Sequence, residues 1–150
     1  MMPRAAYQVV ADSMPILCVD LFLQDGRGRH LEVYRNNAPL KGRWWVPGGR
    51  VFRGETLEQA AVRKASEELG LAVSSLHPVG YHEYHLTDNP FGTSSGFHAV
   101  SFVFAGIVDA TNLRLDDQSS DWGWFSDLPA GFDIQPFNAF NAVPVSMEQP

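Results

Sequence analysis

The chemistry this chain offers is concentrated between positions 49 and 71. There Gly49, Glu55, Arg63, Lys64, Glu67, Glu68, Gly70 and Leu71 combine a glycine turn with clustered carboxylates. Magnesium is a hard cation that takes oxygen ligands and often joins one or two carboxylates to the phosphates of a substrate. Carboxylates gathered behind a glycine-rich approach suit that task. Lys64 is the odd member, because an ammonium among carboxylates competes with a cation for them.

These side chains need a helix to hold them. Thr56 with Gln59 forms a Thr-x-x-Gln capping box, which satisfies orphan amides at a helix start, and Gly70 supplies the left-handed residue that commonly ends one. Between them Leu57, Ala61, Ala65 and Leu69 recur every fourth residue, flanked by Ala60 and Val62. At roughly 100° per residue, Lys64, Glu67 and Glu68 fall on an arc beside this apolar stripe, with Arg63 at its outer edge. An ordinary amphipathic helix would use Arg63/Glu67 and Lys64/Glu68 as solvated i,i+4 ion pairs. The glycine approach and the distant Glu55 favour a site instead.

The residues Gly49, Glu55, Arg63, Glu67, Glu68, Gly70 and Leu71 match the Nudix box, Gly-x5-Glu-x7-Arg-Glu-U-x-Glu-Glu-x-Gly-U, where U is bulky and apolar. Lys64 replaces the first glutamate of the helix, and Ala65 is small for its apolar slot. The chain therefore resembles the Nudix hydrolases, which typically hydrolyse a nucleoside diphosphate linked to another moiety with a divalent metal. A longer stretch is similar to the GDP-mannose mannosyl hydrolase type within that family. It includes Pro15 to Asp20, Tyr34-Arg35, Trp44 to Val51 and Glu55 to Glu58, and it continues through Asp88-Asn89, His98 and Asp116-Asp117-Gln118 to Trp124. That branch also lacks the glutamate replaced by Lys64, and it attacks sugar carbon C1, releasing GDP and free hexose.

The resemblance implies a set of roles. Mg²⁺, or Mn²⁺ in its place, would be held by the Gly48 carbonyl, Glu68 and Gln118. Arg35 and Arg50 would hold the diphosphate, and Asp20 would bear on the sugar. Cleaving C1–O leaves GDP as the departing anion, so a metal and two guanidinium groups suit it. A carboxylate near an oxocarbenium-like C1 suits the other half. Two departures concern the base and the leaving group. Ser119 stands where the branch has a histidine base, and Ala99 where it has a tyrosine. A serine hydroxyl is a poor base at neutral pH unless another base activates it, and general base catalysis contributes about 10²–10⁴-fold. Asp117, Asp121, His85 and Glu67 are the candidate replacements. Two alternatives stay open: a conventional Nudix pyrophosphohydrolase giving a nucleoside monophosphate and a sugar phosphate, and a nucleotide-sugar-binding module with little turnover.

Composition sets wider limits. With 150 residues, 45% hydrophobic and 19% charged, the chain is expected to form one domain over 1–150 with a proper core. A net charge of −6 disfavours nonspecific nucleic-acid binding. Cys18, the only cysteine, lies in an apolar strand pattern and reads as a buried, inert thiol. A cytoplasmic setting is expected from that cysteine usage and from an N-terminus without a signal-peptide core. The longest apolar run, Ile16 to Leu23, carries Asp20 and is too short to cross a membrane. The family dimerises, so a homodimer through the apolar N- and C-terminal segments is expected by analogy.

The elements point to an α/β/α sandwich around a mixed sheet. Strands are predicted at Pro15–Gln24 and His30–Arg35 about a Gly26-Arg-Gly28 turn, and at Trp44–Val46. More follow within Ala72–Thr87, interrupted at Pro78-Val-Gly80, and at Phe97–Val108 and Trp122–Phe125. The polar segment Thr87–Gly96 is expected to be a mobile flap. A short helix is expected after 126, near Phe137-Asn-Ala-Phe140, with a disordered tail past Pro144. Of Trp44 and Trp45, which alternate faces, one is expected in the core, and Trp122 and Trp124 are read as core packing. His82, Glu83 and His85 match no zinc-ligand spacing well.

Overall fold

The computed structural model of the chain describes residues 2–93 and 95–137. Its elements in order are α1 (Arg4–Ser13), β1 (Ile16–Gln24), β2 (His30–Arg35), β3 (Trp44–Trp45), β4 (Gly48–Arg50), α2 (Leu57–Leu69), β5 (His77–Leu86), β6 (Phe97–Ile107), β7 (Ser119–Phe125) and β8 (Gln135–Pro136). The expected C-terminal helix and tail fall mostly on 138–150, outside the described residues. Helix α1 is a feature that the sequence pattern did not point to.

One sheet carries the strands in the order β3-β2-β1-β6-β5-β8, with β4 added to β1 and β7 to β2. It is mixed, because β1 runs parallel to β6 from Ile16/Ala99 to Gln24/Ile107 while the other pairs are antiparallel. β1 and β2 meet only at Gln24/His30. Nearer its start, β1 pairs instead with β4, at Cys18/Arg50, Val19/Gly49 and Asp20/Gly48. The sheet thus splits between β1 and β2, and the glycine loop enters the gap beside Asp20.

Alternation along β1 builds a core on each face. Val19, Leu21 and Leu23 join Leu31, Val33 and the α2 residues Ala60, Ala61, Ala65 and Leu69 in one cluster. Ile16 joins Trp45, Tyr84, Phe97, Ala99 and Val103 in the other, against which Tyr7, Val10 and Ala11 of α1 pack. With a helix on each face, the architecture is the expected α/β/α sandwich. The alanines of α2 are fully buried, and their small size lets the helix lie close on the sheet. Trp45 is core and Trp44 half-buried, while Trp122 and Trp124 cover the edge of the α2-side cluster.

Both ends of α2 form as its sequence demands. Gln59 N–H donates to Thr56 Oγ1 at 3.1 Å and Thr56 N–H donates to Gln59 Oε1 at 2.8 Å, completing the capping box. Gly70 sits at φ 66°, and a Cβ there would meet Arg114 Cβ at 3.0 Å. β5 begins later than expected, at His77, and carries an irregularity between Pro78 and Gly80.

Candidate active site

A cleft of about 840 Å³ opens where the sheet splits. Asp20, Arg35, Gly48, Arg50, Glu67 and Gln118 all line it, as does Lys64. Glu68 lies directly behind this wall. The residues expected to hold the metal, the diphosphate and the sugar are therefore gathered in one place, although they come from β1, β2, β4, α2 and the 116–118 turn.

The glycine loop permits that convergence. A Cβ at Gly48 would collide with Asp20 Oδ1 and the Val19 carbonyl, and one at Gly49 would meet Lys64 Cε at 2.6 Å. Only residues without side chains let the loop pass between β1 and α2 this closely. Gly48 N–H donates to Glu68 Oε2 at 3.3 Å, which ties loop to helix. At the far end of α2, Asp116 N–H donates to the Glu68 carbonyl at 3.3 Å. Asp116 in turn accepts from Gln118 N and Gln118 Nε2, each at 3.1 Å. With its amide nitrogen so engaged, Gln118 keeps its side-chain oxygen for another partner.

The ion pairs of α2 divide by burial. Arg63 makes hydrogen bonds to Glu55 at 2.6 and 3.0 Å, to Glu67 at 3.2 Å and to the Arg50 carbonyl at 2.8 Å. Glu55 also accepts from Phe52 N–H at 2.6 Å. The hydrogen bonds from Arg63 hold the Glu55 carboxyl below its ordinary range. Lys64 and Glu68 are different, with side chains only 8% and 4% exposed. This pair is buried, unlike the solvated pairs of an ordinary amphipathic helix, because the arc carrying it faces the glycine loop rather than water. Lys64 Nζ stands 2.7 Å from Glu68 Oε1 and 3.9 Å from Glu67 Oε2. The first contact is a buried ion pair that occupies Oε1, while Gly48 N–H donates to Oε2. Burial raises the Glu68 carboxyl, and Lys64 opposes that shift.

Asp20 is a second buried carboxylate at the cleft. Trp45 Nε1–H donates to Tyr84 Oη at 2.7 Å, and Tyr84 O–H donates to Asp20 Oδ2 at 2.7 Å. This relay fixes the carboxylate in the wall. Burial pushes its pKa up to about 6, against the pull of the Tyr84 hydrogen bond. Of the guanidinium groups, Arg35 gives its Nε–H to the Pro39 carbonyl at 2.9 Å. Arg50 stacks on the Tyr7 ring, 3.9 Å from its centroid, so α1 reaches into the cleft through Tyr7. Cys18 lines the cleft and is half-buried rather than fully buried. Burial still pushes its thiol up to about 12, which keeps it protonated and inert.

Of the candidate replacement bases, only Glu67 lines the cleft. His85, Asp117 and Asp121 are exposed; His85 projects from the sheet face opposite Tyr84, and Asp121 accepts from the N–H of Trp122. Ser119 is buried opposite Arg35 on β2, and Ala99 lines the cleft wall. The 87–96 segment, expected to be a flap, is organised by its own hydrogen bonds. Asn89 is 3% exposed, accepts from the N–H groups of Phe91 and Thr93, and donates to Thr93. The segment is also tied to α1: Arg4 donates to the Pro90 carbonyl at 2.7 Å, Ser95 donates to Asp12 at 3.0 Å, and Tyr7 meets Phe91 edge-on. Composition showed its polarity but not these partners.

Comparison with known proteins agrees with this geometry. The low-salt glycan biosynthesis protein Agl8 of Haloferax volcanii is 33% identical over 118 residues, covering 79% of this chain and 75% of that protein. An ADP-ribose pyrophosphatase of Methanocaldococcus jannaschii is 32% identical over 117 residues, covering 77% of this chain. The chain spans 65% of that relative's length. A crystal structure of a MutT NUDIX hydrolase from Burkholderia pseudomallei superposes with a TM-score of 0.66 at 27% identity, covering 76% of this chain and 84% of that one. The NUDIX domain model matches residues 14–131, from the start of β1 to beyond β7, so the chain belongs to the Nudix hydrolase family.

Proposed function

We propose that the protein hydrolyses a nucleoside diphosphate sugar of the GDP-mannose or GDP-glucose type at sugar C1, giving a nucleoside diphosphate and free hexose. The observation that carries this reading is Asp20, a buried carboxylate facing the same cleft as Arg35 and Arg50. A carboxylate beside C1 stabilises positive charge developing there, while guanidinium groups hold the departing diphosphate. A pKa of about 6 leaves Asp20 mostly ionised at neutral pH and within the range useful for taking a proton from water. Glu67 is the second carboxylate available to the attacking water. The name of the Haloferax relative, a glycan biosynthesis protein, is in keeping with a sugar substrate.

The residues present fit a divalent cation. Glu68 is a carboxylate whose ion-pair partner is Lys64, and the Gln118 amide nitrogen is turned to Asp116, so both have oxygen to offer, as Mg²⁺ or Mn²⁺ prefers. Gly48, Glu68 and Gln118 would hold it. When bound, it would supply positive charge to the diphosphate leaving group. Lys64 competes with it for Glu68, which makes this a weaker site than an all-carboxylate one. A homodimer belongs to the same reading, with exposed Met2, Val9, Met14 and Leu17 beside the N-terminal helix as its apolar face. So does a cytoplasmic setting.

A second reading, pyrophosphohydrolysis at phosphorus, is favoured by the intact Glu55, Glu67 and Glu68 and by the name of the Methanocaldococcus relative. Incubation with GDP-mannose and Mg²⁺ in ¹⁸O water separates the two. GDP with labelled mannose supports attack at C1, whereas GMP with mannose phosphate replaces that reading with the second. Saturable binding of the nucleotide sugar without either product pair would identify a binding module and overturn both.

A further inference from the structure

We propose that Glu83, His85 and His98 form a second cation site, distinct from the cleft and selective for borderline transition metals of the zinc class. His85 on β5 and His98 on β6 are direct cross-strand partners, so their side chains leave the same face of the sheet. Glu83 is two residues along β5 and shares that face. The imidazole rings are stacked with centroids 4.3 Å apart. His85 Nε2 lies 3.5 Å from Glu83 Oε2, and one ligand atom from each residue can be chosen so that all lie within 4.8 Å of one another.

Those distances are near what an ion requires. Zinc–nitrogen and zinc–oxygen bonds of about 2.0–2.2 Å put two tetrahedral ligands roughly 3.4 Å apart. The Glu83–His85 separation already meets this. From separations of up to 4.8 Å, His98 has at most about 1.4 Å to close, and the Glu83 and His85 side chains, 51% and 65% exposed, are free to turn toward it. A hollow of about 490 Å³ lined by Asp12, Ser95, His85 and His98 leaves room for water to complete the coordination. His82 takes no part. It projects from the opposite face and shares a hydrogen bond with the Asp133 backbone, which is why spacing along one strand could not reveal the cluster. The missing ligand comes from the neighbouring strand.

Donor chemistry separates this site from the cleft. Two imidazoles and a carboxylate suit Zn²⁺, Ni²⁺ or Cu²⁺, whereas an all-oxygen set suits Mg²⁺. The position has a structural consequence. The chain leaves β5 for the 87–96 segment just after His85 and rejoins β6 just before His98, and Asn89, Pro90 and Phe91 of that segment line the cleft. An ion here would staple the base of the segment that walls the cleft.

Calorimetric titration of Zn²⁺ into the full chain in excess Mg²⁺ tests the proposal. One ion per chain is expected, undisplaced by Mg²⁺. His85→Ala and His98→Ala should each weaken binding by at least about tenfold, at or above the usual cost of losing an outer-shell partner. Exposed His77 on the same strand is the control, and His77→Ala should bind as the parent does. Zn²⁺ should also slow amide exchange at 86–97 in the parent and not in His98→Ala. No saturable heat, equal affinity in the His85 and His98 variants, or an equal loss in His77→Ala would each overturn the site. Unchanged exchange on binding would overturn the staple.

Discussion

The two ends of the box helix carry the same pairing of charges with different outcomes. Glu55 and Arg63 meet at the partly open end, where four hydrogen bonds satisfy the guanidinium and carboxylate together. Glu68 and Lys64 meet behind the glycine loop, almost fully buried and 2.7 Å apart. The first pair is a clasp that holds the loop to the helix. The second is a buried ion pair in which a single ammonium neutralises a carboxylate next to the cleft, so a cation entering there must displace Lys64. Two pairs of like charge pattern thus take different roles through burial and through the number of partners each has.

Breaking the buried pair should have the largest effect. Glu68→Gln is expected to lower metal-dependent turnover by at least about 100-fold, since it removes the carboxylate proposed as ligand. Steady-state rates across a Mg²⁺ titration would measure it, and an unchanged rate would remove Glu68 from the ligand set. Truncating one partner of a buried pair typically costs about 3–5 kcal/mol, so Lys64→Met should unfold at markedly lower urea while binding Mn²⁺ more tightly. Paramagnetic resonance of Mn²⁺ reads the second effect independently of turnover.

Asp20 sharpens the comparison because it is buried without a cationic partner in contact. Its folded pKa of about 6 exceeds the ordinary 3.8, so between those values the folded state holds more protons than the unfolded. Its contribution to stability therefore falls as pH rises from about 4 to about 6 and is level above that. A shift of about two units corresponds to roughly 3 kcal/mol. Asp20→Asn, which can still accept from Tyr84, should gain on the parent by up to about that amount between pH 4 and 7 in urea unfolding. A constant difference across that range would refute the raised pKa.

The clasp has the opposite sign. Glu55 is held below its ordinary value, so its stabilisation is present at neutral pH and lost on acidification. Glu55→Gln should cost about 1–3 kcal/mol at pH 7, the usual worth of charged hydrogen bonds, and less near pH 3. Thr56→Ala, which removes only the cap, should cost about 1 kcal/mol in thermal or urea unfolding with turnover little changed.

The box helix was legible in the sequence because its signals are local. A capping box, a terminating glycine and a four-residue apolar repeat act within one or two turns. Strands β1, β2 and β6 were legible for a similar reason, through apolar alternation and glycine turns. Helix α1 was not. It has no side-chain cap at Pro3 and no buried residue, and it is placed by Tyr7 against Arg50 and Phe91, residues far along the chain. In the 87–96 segment composition showed the polarity but not that Asn89 is buried and bonded within its own loop.

The sequence by itself determined the box, its helix, the mixed α/β architecture and the residue types available for chemistry. The cleft residues were identified by resemblance, and their proximity required the fold. Only tertiary structure decided that the sheet parts between β1 and β2 to admit Gly48 beside Asp20. It also decided that Lys64 and Glu68 are buried while Arg63 and Glu67 are not, and that His98 rather than His82 stands next to His85. Capping and periodicity are set by neighbours a few residues away. Burial, pKa and ligand geometry depend on which distant strands pack together, and no local pattern carries that information.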